Sequence, residues 1–164
     1  MININLSTMI YRPIKQVFDY VTAPENDFQW QYGTLETNKV AGVGGVPGTF
    51  FRSIGHLMGR RVLGTYEVTE CEPDRKYGFK SLSGPLHIQT CYTFEIADGG
   101  TRVNVSMQAR VVNFYEIDEG ILEKHLKKQI REDLALLKEL LEERRMLPVL
   151  GANESARLNS GIAK

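Results

Sequence analysis

The chain of 164 residues lacks an excess of charge of either sign, because 20 lysine and arginine residues balance 20 aspartate and glutamate residues. A balanced charge gives no electrostatic basis for binding nucleic acid or an anionic membrane. No apolar run approaches the length of ~20 residues that crosses a bilayer. The N-terminus also lacks the basic and apolar regions of a signal peptide. We therefore expect a cytoplasmic protein with no membrane span and no nucleic acid among its partners.

Cysteine and histidine are also scarce. The two cysteines, Cys71 and Cys91, are too few for a disulfide scaffold and do not have a zinc-binding spacing. The three histidines, His56, His87 and His125, lie far apart in the sequence. The sequence contains no Gly-x-Ser-x-Gly elbow and no evident Cys–His pairing. We expect no metal ion, no cofactor and no visible catalytic residues.

Glycine, in contrast, is dense in the stretch "GVGGVPGTFFR", residues 42–52. A dinucleotide-binding loop needs a third glycine before a helix, but here Pro47 takes that place and a strand-like segment follows. A P-loop is excluded because no Lys-Ser or Lys-Thr pair follows Gly48. We interpret this stretch as the connection between the second and third strands.

Alternating apolar residues predict seven strands, at about residues 2–6, 34–40, 49–54, 61–70, 76–81, 87–97 and 101–111. Between the first two strands, Pro13 begins a helix with an apolar stripe from Ile14 to Val21. Thr22 and Glu25 predict a capping box for a second short helix, which extends to about Trp30.

The last predicted element is a helix over about residues 116–145, in which leucine and isoleucine recur at three- and four-residue steps. A helix of this length spans roughly 45 Å and can lie across a whole sheet. In residues 87–97 the apolar positions Ile88, Tyr92, Phe94 and Ile96 alternate with polar ones, so one sheet face is predicted to be dry. A curved sheet around one helix predicts a cavity between them, on the order of 300 to 1,000 Å³.

Five segments carry a family resemblance: "RPIKQVFDYVTAPENDFQWQ", "GVPGTFFR", "YEVTECEPDRKYGF", "YTFEIADGGTRVNV" and "KKQIREDLALLKELLE". Over about residues 1–144 the chain resembles the START-like helix-grip superfamily (SRPBCC), in particular its polyketide cyclase/dehydrase and lipid-transport branch. The resemblance implies an α+β helix-grip fold, with a seven-stranded curved antiparallel sheet wrapped around a long C-terminal helix. Two short helices are expected after the first strand. We expect a START-like domain at residues 1–145 and a loosely ordered tail at 146–164.

Two sets of residues are candidates for the ligand site. The predicted cavity wall consists of Trp30, Phe51, Tyr66, Tyr92, Met107, Leu122, Leu126 and Ile130. The predicted entrance consists of apolar residues at loop positions where polar ones are usual, namely Leu57, Met58, Leu82, Leu86, Phe114 and Tyr115. The hydroxyls of Tyr66 and Tyr92 either bond internally or face a ligand. His56 is either an ordinary hairpin residue or lies at the cavity mouth.

Three functions are consistent with the sequence. The favoured one is binding of a small hydrophobic molecule, such as a lipid, an isoprenoid or an aromatic polyketide, for transport or sequestration. The second is a polyketide cyclase or dehydratase, in which Tyr66, Tyr92, His56 or Arg52 orients the substrate. The third is a protein-interaction module that binds ribosomes, chaperones or quinone machinery, as the resemblance implies for some relatives. A homodimer is left open.

Overall fold

The structure is a computed structural model that describes residues 1–42, 46–112 and 116–143. Its strands are β1 (Ile2–Ile10), β2 (Thr34–Ala41), β3 (Phe50–Leu57), β4 (Arg60–Glu72), β5 (Lys76–Ser83), β6 (Leu86–Ala97) and β7 (Gly100–Val111). Its helices are α1 (Ile14–Val21), α2 (Asp27–Trp30) and α3 (Glu119–Glu143), and a 3-10 turn (Pro24–Asn26) precedes α2. None of the described helices combines the length and the apolar composition needed to cross a membrane.

The seven strands form one antiparallel sheet in the order β1-β7-β6-β5-β4-β3-β2. Strands β2 to β7 are neighbours in sequence order, whereas β1 and β2 lie at opposite edges of the sheet. The segment that contains α1 and α2 therefore connects the two edges. A register shift between Val68 and Glu70 marks a bulge in β4, and such bulges bend and twist a sheet. The predicted helix-grip architecture is confirmed.

Two hydrophobic clusters fill the space between the sheet and α3. The first cluster, the aromatic core, is built around Trp30, Phe51, Tyr92 and Phe94 with Leu134, Leu137 and Leu141 of α3. The second, the aliphatic core, is built around Ile2, Ile4, Leu57, Leu86 and Ala109 with Leu122 and Leu126 of α3. Ile130 packs against both clusters. The two halves of α3 therefore bury their apolar stripe in different surroundings, and the clusters meet near Ile130.

The connections agree with the sequence pattern in most places. The glycine-rich stretch joins β2 to β3 as expected, with the connection at residues 42–49 and the rest of the stretch in β3, although 43–45 lie outside the described residues. The turn between β6 and β7 has positive φ at Asp98 (46°) and Gly99 (79°), which is the geometry of a two-residue hairpin. The predicted tail, 146–164, also lies outside the described residues.

Two local predictions are wrong. Thr22 does not cap the second helix, because its Oγ1 donates to the carbonyl oxygen of Phe18 at 2.8 Å and so lies at the end of α1. Pro24 begins the next turn instead, with no side-chain cap. Ile96 was placed on the dry face but is 77% exposed, so the buried face of β6 ends at Phe94.

Candidate functional site

A cavity of about 180 Å³ lies between the sheet and α3. Its wall combines residues of the aliphatic core, such as Leu57 and Leu86, with Tyr66 of the aromatic core. Helix α3 contributes four lining residues from two successive turns: Leu126, Gln129, Ile130 and Asp133. The remaining wall is supplied by Gln31, Gly33, Thr34, Ser53, Gly55, His56, Val62, Leu63, Gly64, Ser83, Gly84, Pro85, Ile88 and Met107. The cavity therefore lies where the two clusters meet.

Two glycines bring the connection between α2 and β2 close to the cavity. A Cβ atom at Gly55 would collide with the carbonyl oxygen of Gly33, and a Cβ atom at Gly33 would collide with the Gln129 amide. The backbone N–H of His56 donates to the Gly33 oxygen at 2.7 Å and fixes this approach. This close packing brings Gln129 of α3 against the segment between α2 and β2, where both contribute to the cavity wall.

Half of the predicted wall lines this cavity. Tyr66, Met107, Leu126 and Ile130 are lining residues. Trp30, Phe51, Tyr92 and Leu122 are instead buried in the two clusters. Phe51 stacks on Tyr66 with ring centroids 5.4 Å apart, and Trp30 contacts Tyr92 edge-on at 6.3 Å. This packing fills space that the sequence assigned to the cavity, and so the observed volume is smaller than the predicted 300 to 1,000 Å³.

Only some of the predicted entrance residues line the cavity. Leu57 and Leu86 line the cavity and are buried in the aliphatic core, against which Met58 is half-buried. Leu82 is 49% exposed and precedes the lining segment Ser83–Gly84–Pro85. Phe114 and Tyr115 lie outside the described residues. Their role, and the entrance itself, stay predictions.

Among the described residues, the cavity wall contains one acidic residue, Asp133, which is buried. Its side chain is only 8% exposed. Its Oδ1 accepts a hydrogen bond of 3.0 Å from the backbone N–H of Tyr32, while Oδ2 accepts none from the described residues. Burial raises the pKa of Asp133 to about 7; the Tyr32 hydrogen bond opposes the rise and Glu132 adds to it. This carboxyl group therefore changes its charge near neutral pH.

A second carboxyl group, that of Asp27 in α2, is half-buried and interacts with Asp133. Burial raises the pKa of Asp27 well above its ordinary value, and the negative charges of Glu25 and Asp133 add to this rise. Burial followed by the charge of Asp27 also raises the pKa of the Tyr66 and Tyr92 hydroxyls. The interior thus holds two interacting acids beside neutral tyrosine hydroxyls. Clusters of this kind occur at functional sites more often than elsewhere.

Sequence reasoning missed Asp27, Gln31, Gln129 and Asp133. A signal existed for Asp133, which lies three residues after Ile130 and seven after Leu126, within the apolar stripe of α3. An acidic residue on a buried stripe is costly, and thus informative. Gln31 and Gln129 had no such signal because their position depends on the glycine contacts.

The histidines and cysteines add little to the site. His56 lines the cavity although its side chain is exposed. His87 is exposed and its Nδ1 lies 2.8 Å from the Arg110 guanidinium, while His125 is half-buried on α3. Within residues 1–42, 46–112 and 116–143, no three His, Cys, Asp or Glu side chains form a group that could hold a metal ion.

Solved structures share this architecture. A START superfamily protein from Mycobacterium smegmatis is 14% identical, with a TM-score of 0.68 over 88% of this chain and 97% of that one. The ZhuI aromatase/cyclase from Streptomyces sp. R1128 is 14% identical, with a TM-score of 0.70 over 88% and 95%. A protein from Thermus thermophilus is 23% identical, with a TM-score of 0.69 over 87% and 95%. At these identities the likeness shows the fold, which is that of the START-like helix-grip proteins.

The family follows from the sequence itself. The model of the family described as polyketide cyclase/dehydrase and lipid transport matches residues 1–142. The chain therefore belongs to this family, as the resemblance implied. No curated protein matches the chain in sequence.

Because Asp133 is buried, we expect the stability of the protein to depend on pH. The folded protein retains this proton up to about pH 7, whereas an unfolded aspartate loses it near pH 4. The stability that the protonated form provides is therefore present below pH 4 and is lost as the pH rises towards 7. Asp133→Asn keeps the acceptor for Tyr32 but has no charge. We expect the variant to exceed the wild type in free energy of unfolding by up to roughly 4 kcal/mol at pH 8, and by little at pH 4.

Urea denaturation of both proteins across this pH range measures the difference. Glu132→Gln is the matched control, because it removes a charge from an exposed neighbouring residue and should change stability little. A constant difference between pH 4 and pH 8 would contradict the assigned titration.

Proposed function

We propose that the protein binds a small hydrophobic molecule in the cavity between the sheet and α3. The observation that carries this proposal is a cavity of about 180 Å³ in an interior whose two flanking clusters are densely packed. Apolar side chains such as Leu57, Leu126 and Met107 line the cavity together with polar side chains such as Gln129 and Asp133. This combination is typical of small-molecule sites. Membership of a family described by lipid transport and polyketide cyclisation supports the proposal.

The cavity volume restricts the ligand. A protein cavity of about 150 Å³ accommodates benzene, and so about 180 Å³ suits a molecule with one ring or a short chain. Of the classes considered from the sequence, an aromatic ring or a short isoprenoid fits this space. A long-chain lipid requires the walls to move apart.

Asp133 favours a second candidate function, a dehydratase or cyclase. A carboxyl group with a pKa near 7 is suited to accept and return a proton at neutral pH. In a dehydration, Asp133 would remove a proton from the carbon next to a ketone, and the electron pair would form the new double bond. The hydroxyl group on the following carbon would leave with that proton as water. Tyr66, which lines the same cavity, would donate a hydrogen bond to the ketone oxygen.

The binding proposal is tested by filling the cavity. Ser53 lines it from β3, between the buried residues Phe51 and Gly55 of the same strand face. Ser53→Phe places a ring in a space that holds little more than one ring. Arg52→Phe adds the same ring at an exposed neighbouring position and is the control.

We expect calorimetric titration with 3-phenylpropan-1-ol to show binding to the wild type and to Arg52→Phe. Ser53→Phe should lose at least about tenfold in affinity while keeping its far-UV circular dichroism, because it loses the buried contact area of the ligand. Equal affinity of all three proteins would place the ligand elsewhere. Native mass spectrometry of the purified wild type would identify any molecule that it retains.

The catalytic candidate is tested with 4-phenylbutan-2-one, a ketone of similar size that cannot dehydrate. If Asp133 acts as a base, the protein should accelerate exchange of the protons next to the ketone in D₂O, followed by NMR. Asp133→Asn should lose this acceleration by about a hundredfold or more, while Glu132→Gln should retain it. Exchange at the uncatalysed rate with the wild type would leave binding as the function.

We propose that the entrance lies beside the β5–β6 connection. The lining residues Leu63, Ser83 and Gly84 are exposed, so the cavity wall reaches the surface there. Leu82, at the same place, is exposed and apolar.

Leu82→Asp should therefore slow association of 3-phenylpropan-1-ol severalfold, measured by ligand NMR line shapes, without lowering the melting temperature. Leu57→Asp should instead lower the melting temperature, because Leu57 is only 7% exposed and a buried charge without a partner is strongly destabilising. An unchanged association rate in Leu82→Asp would place the entrance elsewhere.

A further inference from the structure

The charged group in the described part of the cavity wall is negative, and no side chain with a fixed positive charge accompanies it. Among the described residues that line the cavity, Asp133 is the only carboxylate, and no lysine or arginine is present. The uncharged polar groups of the wall include the amides of Gln31 and Gln129 and the hydroxyl of Tyr66. A ligand with a carboxylate or phosphate group would meet a negative charge there and no fixed positive charge to balance it.

Asp133 is also left incompletely hydrogen-bonded. Oδ1 accepts the Tyr32 N–H at 3.0 Å, but an ionised carboxylate accepts several hydrogen bonds. Oδ2 has no donor among the described residues, and although Asp133 as a residue is only 8% exposed, this oxygen is not among the fully buried atoms without a partner. Oδ2 is therefore open to a hydrogen bond from a donor group in the cavity, and a hydrogen bond to a charged acceptor is stronger than one between neutral groups.

The surroundings of Asp133 do not supply that donor. Glu132 adds negative charge from α3 itself, and the charge of Asp133 in turn raises the pKa of Asp27 on α2. The charge of Glu132 therefore disfavours an ionised Asp133. A hydrogen bond from a cation would offset this repulsion and would be stronger than a bond from a neutral donor.

We propose that the cavity selects apolar molecules of about ten heavy atoms that carry a hydrogen-bond donor at one end, and that Asp133 accepts the hydrogen bond from this donor. Amines bind more tightly than alcohols, and carboxylates are excluded. This inference rests on the proposed binding function and specifies its ligand class. Asp133 acts as the specificity-determining residue. The apolar body of the ligand lies against Leu126, Ile130 and Met107.

Three ligands with one apolar body test this inference: 3-phenylpropan-1-amine, 3-phenylpropan-1-ol and 3-phenylpropanoate. They are titrated calorimetrically at pH 8, where Asp133 is mostly ionised. We expect the amine to bind about tenfold more tightly than the alcohol, since a charge-assisted hydrogen bond is roughly twice as strong as a neutral one. The carboxylate should bind at least about tenfold more weakly than the alcohol, because like charges within one site repel.

Asp133→Asn removes the negative charge of the site and keeps a side chain of nearly the same shape. The variant should bind amine and alcohol with similar affinity and should bind the carboxylate more tightly than the wild type does. Glu132→Gln removes a charge from the same helix outside the cavity and should keep the wild-type order.

The outcomes distinguish the two proposals. Equal affinity of the wild type for all three ligands would overturn the selectivity, while the binding function would stand. The expected order retained in Asp133→Asn would overturn the role of Asp133. No binding of any of the three ligands would contradict the binding function and the selectivity together.

Discussion

The structure depends on the packing of the apolar stripe of α3 against the concave face of the sheet. Leu122 and Leu126 fix the first half of the helix in the aliphatic core, and Leu134, Leu137 and Leu141 fix the second half in the aromatic core. Each buried leucine contributes about 1.5 to 3 kcal/mol, so this contact is a large part of the stability of a domain this size. The cavity lies where the two halves meet, because neither cluster fills that space.

A buried acid in that gap is costly to the fold and is therefore informative about function. Asp133 occupies a position of the stripe that an apolar residue would stabilise, and its raised pKa reports the cost of burying its charge. Residues that reduce stability at a cavity wall commonly serve binding or chemistry. The fold tolerates Asp133 because Tyr32 donates one hydrogen bond and the cavity leaves space beside the second oxygen.

Much of the architecture was predictable from the sequence, because it follows from local periodicity. The alternation in β6 and β7, the Asp98–Gly99 turn and the leucine spacing of α3 each determine an element without reference to distant residues. The cavity wall was less predictable. Parity identifies Phe51 and Tyr66 as inward-facing, but only the three-dimensional packing decides that Phe51 is core while Tyr66 also lines the cavity. The position of Gln129 depends on contacts with Gly33 that no local pattern encodes.

The two carboxyl groups give the interior a common electrostatic constraint. The charge of Asp133 adds to the raised pKa of Asp27, so ionising both in a site of low dielectric is unfavourable. Around neutral pH Asp133 is therefore the group that exchanges its proton most readily. A ligand cation near Oδ2 would hold that carboxyl group ionised, whereas a neutral ketone would leave it free to accept and return a proton. Binding and proton transfer are thus alternative uses of one buried acid, and the chemistry of the bound molecule decides between them.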